Sequence, residues 1–158
     1  RLFQVNEATG DKRISGSCAS LAGLERALAA GDGAAVDRAI DRILMGHALI
    51  ASWGGIPLIY MGDEIALLND TSYTAVPEIA HDSRWVHRPR MDWSAAAEVA
   101  HGAGPGARVW RGVRDILARR AATPELHGDT PVRVLDPADG RLFAFLRRTT
   151  TATKRYGG

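Results

Sequence analysis

One cysteine, Cys18, leaves no partner for an internal disulfide. It sits among small residues in Ser17-Cys18-Ala19-Ser20, with no activating base evident, and reads as a packed or loop residue. No apolar run reaches the roughly 18 residues of a membrane span. No Lys/Arg block marks a nucleic-acid or membrane footprint, so neither partner is expected. Twenty basic against eighteen acidic residues leave a net charge of only +2. The start, Arg1-Leu2-Phe3-Gln4, has neither an initiator Met nor an apolar leader and reads as the middle of a domain. The compartment is left open, cytoplasmic favoured over secreted.

What is present suits a globular chain: 158 residues, 46% hydrophobic and 24% charged. That length supports one ordinary core but not a complete (β/α)8 barrel, which takes roughly 250 residues. Residues 1–20 read as an ordered loop with turn chemistry at Asn6-Glu7-Ala8-Thr9-Gly10-Asp11. Ser20 is expected to cap a short helix over 21–30, broken by Gly31-Asp32-Gly33. Residues 34–52 carry the clearest helical period, with Val36, Ile40, Ile43, Leu44 and His47 on one face. The stretch from Met45 to Trp53 is apolar nearly all round and is expected to be deeply packed. Gly54-Gly55 ends this helix.

Ile56 to Met61 is continuously apolar, which predicts a strand buried on both faces. Residues 62–105 follow as a long loop, a length that usually carries function. A helix returns over 106–122, its face set by Val109, Val113, Ile116, Leu117 and Arg120. Arg108, Arg111, Arg114, Arg119 and Arg120 are expected mostly on a solvated face. Strands over 132–135 and 142–146, joined at Asp136-Pro137-Ala138-Asp139-Gly140, predict a hairpin. The predicted class is α/β: the last unit of a (β/α)8 TIM barrel, then the start of an antiparallel β domain. The divisions fall at 1–33 for the end of an inserted loop domain, 34–128 for the barrel portion, and 129–158 for the β domain and tail.

Two constellations stand out. Asp63-Glu64 lies at the carboxyl end of the predicted strand, where barrels place their chemistry. Adjacent strand residues point to opposite faces, so the two do not make a facing acid/base pair. The plainer reading gives one carboxylate to backbone N–H groups of the next loop and the other to an Arg. The second constellation is Asp82-Ser83-Arg84-Trp85-Val86-His87-Arg88-Pro89-Arg90. Its Arg forks suit carboxylates, and Trp85 and Trp93 are flat enough to stack on sugars or guanidinium groups. Its plainer reading is a loop held by ion pairs. His81 and His87, six apart and without a Cys partner, do not make a zinc motif, and no metal or cofactor is expected.

Gly55 to Glu64 resembles the eighth barrel strand of glycoside hydrolase family 13, the α-amylase superfamily. Leu68-Asn69-Asp70 and Asp82 through Trp93 narrow the likeness to the amylosucrases and their sucrose hydrolase relatives. Phe3 to Asn6, Thr9-Gly10-Asp11 and Arg13 to Gly16 resemble the end of that group's extra loop domain, inserted after barrel strand seven. The resemblance runs from residue 1 to about 148.

It implies a retaining α-glucosyl transfer from sucrose, through a covalent β-glucosyl enzyme, to an α-1,4-glucan or to water. Arg84 matches the arginine at the floor of the glucosyl pocket, paired with an aspartate from an early barrel loop. Arg13 matches an arginine on the acceptor and fructosyl side, and Gln4 and Asn6 match positions lining that region. Asp63, Glu64, Asp82, Trp85 and His87 are expected to support the site. No Asp or Glu matches the family's nucleophile, acid/base or transition-state aspartate, so no catalytic residue is assigned. The chain is expected to need the N-terminal part of the catalytic domain and to be inactive alone. Sucrose hydrolysis, or another family 13 α-glucosidase or α-amylase activity, stays open, as does a non-catalytic carbohydrate-binding module.

Overall fold

The structure is a computed structural model and describes residues 2–3 and 5–149. Its centre is a pair of helices, α3 (Gly33–Ser52) and α5 (Pro105–Ala121), preceded by α1 (Cys18–Leu21) and α2 (Leu24–Ala29). Asp32 starts α3 by accepting the Ala35 N–H at 2.9 Å, which satisfies one of the otherwise unpaired first-turn donors. Ala39, Ile40, Ile43, His47 and Ala51 recur at three- and four-residue intervals and form its buried face. Pro105 opens α5 with its fixed φ and no amide to satisfy. Ala107, Val109 and Val113 are its buried residues, and the two valines join the core cluster with Ile40 and Ile43 of α3. Burying each of the two valines contributes about 1.5–3 kcal/mol.

Gly106 is required by contact. A Cβ there would lie 2.7 Å from the Ile65 carbonyl oxygen, so α5 can meet the 63–65 turn only as glycine.

Both long helices match their predicted ranges within a residue. The single helix expected over 21–30 is two helices. Ser17, not Ser20, caps α1, and Gly23 at φ +97° breaks the chain into α2. Left-handed backbone is open to glycine and costly to most other residues. The Ser20 hydroxyl accepts the Asn69 N–H at 3.0 Å instead. Asn69 in turn accepts the Ser17 N–H at 2.9 Å and donates to Glu25, tying the long loop to α1 and α2.

The second half of α3 is not deeply packed: Met45, Leu49, Ile50 and Trp53 are exposed. Nor is 56–61 a doubly buried strand. It is extended without a ladder; Ile56 is 95% and Leu58 79% exposed, while Ile59 packs on the core. Strands are held by neighbours, and among the described residues none pairs with this segment. Among the described residues the ladders are two antiparallel pairs, β1 (Leu2–Phe3) with β2 (Arg13–Ile14) and β3 (Val132–Leu135) with β4 (Ala144–Arg147). Mixed helices with small antiparallel sheets are thus what the chain displays. The loop at 62–105 holds short 3-10 turns and one unforeseen helix, α4 (Trp93–Val99), capped by Asp92.

The β3–β4 hairpin begins its second strand two residues later than predicted, because Asp139 and Arg141 close a further turn at 139–142. Arg147, only 8% exposed, donates to the Ser52 carbonyl at 2.9 Å and to the His127 carbonyl. Arg120, counted both in the packing face of the helix and among its mostly solvated arginines, donates to the carbonyls of Ala51 and, at 2.8 Å, Gly55. Two guanidiniums therefore meet the carboxyl end of α3, whose last carbonyls lack helical partners and whose dipole end is negative. Trp53 packs edge-on against Phe145 at 5.2 Å and stacks with Phe143 at 5.8 Å, completing this attachment. Among the described residues no helix is long and apolar enough to cross a membrane.

Candidate functional site

A cavity of about 540 Å³ opens between α1, the middle of α3, the extended 56–61 segment and the 83–87 turn. Cys18, His47, Asp63, Tyr60 and His87 reach it. Its walls follow from the local sequence. Gly62, at φ +94°, turns the chain sharply after Met61 into the 3-10 turn Asp63–Ile65. That turn sends its two acids to different places. Asp63 lines the large cavity, and Glu64 lines a separate one of about 440 Å³ with Trp110 and Leu117. The two carboxylates are indeed not a facing pair. Glu64 accepts the Gly62 N–H at 2.9 Å, as the plainer reading expected of one of them. Asp63 meets no arginine fork but the Cys18 N–H, with His47 and His87 nearby.

Burial is the main force raising the Asp63 pKa, with Glu64 adding to it; His47, the Cys18 amide and His87 oppose the rise. Burial also raises Cys18, and the Asp63 charge adds to that. His87 is lowered, first by burial and then by Arg88, and its Nδ1 is buried without a hydrogen-bond partner. Its ring lies 6.2 Å from that of Tyr60.

Arg84 stands on the outer side of this region. Its Nε donates to Asp82 Oδ1 at 2.8 Å and its Nη2 to Oδ2 at 2.7 Å, a two-pronged fork. Asp82 also accepts the Arg84 N–H at 3.0 Å, capping the turn. These bonds, the side-chain one foremost, hold Asp82 at about 2. The Arg84 side chain remains 49% exposed.

Arg13 lies in β2, paired in register with Phe3, and β1 runs beside the 83–87 turn. The structure thus gathers the Arg13 and Arg84 segments in one neighbourhood. Trp85 is exposed beside them, and Trp93 is 74% exposed at the start of α4. Asn6 is used locally: its Oδ1 accepts the Ala8 N–H at 3.0 Å and the Thr9 N–H at 3.3 Å, forming a turn. Gln4 lies outside the described residues.

Sequence reading missed Cys18 and His47 as site residues. The ligand-capable atoms of Cys18, His47 and Asp63 lie within 4.8 Å of one another. The available signal was His47 itself, an ionisable ring on the otherwise apolar stripe Ala39, Ile40, Ile43 and Ala51. No family model matches the chain.

Proposed function

We propose that this chain forms the closing part of a family 13 (β/α)8 barrel that transfers glucose from sucrose to an α-1,4-glucan or to water. In this reading 56–61 is the eighth barrel strand, and the loop after it builds one wall of the glucosyl pocket. The observation that carries the reading is the state of 56–61. It is extended and apolar on both faces, packed on one side through Ile59, and bare at Ile56 and Leu58. Apolar side chains left bare beside unpaired backbone are what a barrel strand presents when its neighbours are missing. The Asp82-Arg84 fork on the following loop adds a positioned, half-exposed guanidinium suited to sugar hydroxyls or to a carboxylate from another barrel loop.

The chemistry divides accordingly. Retaining transfer needs a carboxylate nucleophile and a carboxylic acid roughly 5–5.5 Å apart across the glucosidic bond. Asp63 and Glu64 face different cavities, so the pair that breaks the C1–O bond and protonates the departing fructose comes from other barrel strands. Arg84 closes the pocket floor and holds the glucosyl ring, with Arg13 toward the acceptor side. The test is sucrose turnover by the chain joined to the seven preceding barrel units of a family 13 enzyme bearing the three catalytic acids. Arg84→Ala should lower turnover at least about a hundredfold, since misplacing a substrate costs about that much. Unchanged kinetics would refute the pocket-floor role, and sucrose turnover by the 158-residue chain alone would refute the division of chemistry.

The exposure of Trp93 favours a second reading, a non-catalytic glucan-binding module. A cooperative thermal transition of the chain alone, with glucan binding lost in Trp93→Ala, would select it.

A further inference from the structure

The cluster at the head of the large cavity has no part in the proposed glucosyl chemistry. His47 is only 5% exposed, yet neither ring nitrogen has a hydrogen-bond partner. A buried imidazole without a partner forfeits the solvation of its nitrogens with nothing to replace it. The group facing it is a carboxylate that burial disfavours, beside the chain's sole thiol. We infer that Cys18, His47 and Asp63 form a binding site for a borderline-soft divalent cation of the zinc class, open to the cavity on its fourth side.

The donor set supports this choice. One sulfur, one imidazole nitrogen and one carboxylate oxygen are the three atom types zinc takes, at roughly 2.0–2.3 Å each. Calcium and magnesium prefer oxygen alone. The three ligand atoms already lie within 4.8 Å of one another, so side-chain rotation suffices to draw them around an ion. Asp63 is further fixed by the Cys18 N–H, which ties two of the ligands together. On binding, the Cys18 S–H bond breaks, a sulfur–metal bond forms and the proton leaves to solvent. The ion's two positive charges then offset one thiolate and one carboxylate, and a nitrogen of His47 gains its partner. His87, lining the same cavity with its own buried Nδ1 unpartnered, borders the open side.

A Cys–His nucleophile is the rival use of these residues. That role needs a thiol in hydrogen-bond contact with the ring, roughly 2.6–3.2 Å, whereas both His47 nitrogens are without such a contact.

The test is titration of the reduced 158-residue chain with cobalt(II) chloride, followed by zinc chloride. The expected result is a thiolate-to-cobalt charge-transfer band with the visible spectrum of a tetrahedral ion, both erased by zinc. Cys18→Ser should abolish the charge-transfer band, and Asp63→Asn should weaken binding at least about tenfold, with far-ultraviolet circular dichroism confirming that each variant keeps its helices. A second measurement uses Cys18 as the sole thiol: zinc should slow its alkylation by iodoacetamide at least about tenfold, and magnesium should not. The proposal is overturned if cobalt gives no thiolate band, if binding persists in Cys18→Ser, or if zinc leaves the alkylation rate unchanged.

Discussion

Two faces of α3 carry apolar side chains and meet different fates. On one, Ala39, Ile40 and Ile43 vanish into the contact with α2 and α5. On the other, Met45, Leu49 and Ile50 stay exposed, as do Ile56 and Leu58 in the segment that follows. Burial is therefore decided here by what stands opposite a residue, not by its hydrophobicity. The closed side of the molecule is built from elements that find their partners within the described residues, α3 against α2 and α5. The open side presents a segment whose partners are absent among the described residues.

The largest effect should come from the closed side. Ile43→Ala removes a fully buried side chain from the centre of the core and should cost about 2–5 kcal/mol in urea unfolding. A loss below about 1 kcal/mol would mean that this side is as loose as the other. Arg147→Met comes next. It leaves the Ser52 and His127 carbonyls without their donor, and the expected loss is about 1–3 kcal/mol. A neutral result would show that the hairpin is not anchored to the end of α3.

A smaller effect belongs to Asp82. Its folded pKa is about 2 against an ordinary 3.8, held there first by the Arg84 side chain. Its contribution to stability is therefore present above 3.8 and lost as pH falls through about 2. Asp82→Asn should narrow the stability gap to the parent over that window and leave it constant above it. Urea midpoints measured across the acid range check this; a gap that widens on acidification would reverse the assignment. Least affected should be Ile56→Ser, within about 0.5 kcal/mol, since nothing covers that side chain. A large loss would show that the open side is covered after all.

The same contrast explains what could be read from the sequence. Helices α3 and α5 were legible to within a residue because period, Asp32 and Pro105 all act locally. Helix α4 had a local signal as well, Asp92 before an alanine run, but the Pro, Gly and His around it read as loop. The division of 21–30 turned on Gly23, whose left-handed backbone the helical pattern does not announce. Strand-like apolarity at 56–61 was visible, but pairing is not a property of the segment. The Cys18, His47 and Asp63 cluster was illegible because its members come from a turn and two helices far apart in the chain, with no motif spacing to join them. Arg84 and Asp82, two residues apart, were the reverse case: their fork is the ion-paired loop of the plainer reading, formed within one turn.

The central claim is that the open side is a barrel strand lacking its neighbours. Amide hydrogen exchange of residues 56–61 tests it most directly, in the chain alone and in the chain joined to the preceding barrel units. The account predicts fast exchange at these amides in the chain alone and strong protection once the barrel is completed, together with Arg84-dependent sucrose turnover. Amides at 56–61 that remain unprotected in the joined and active protein would contradict it.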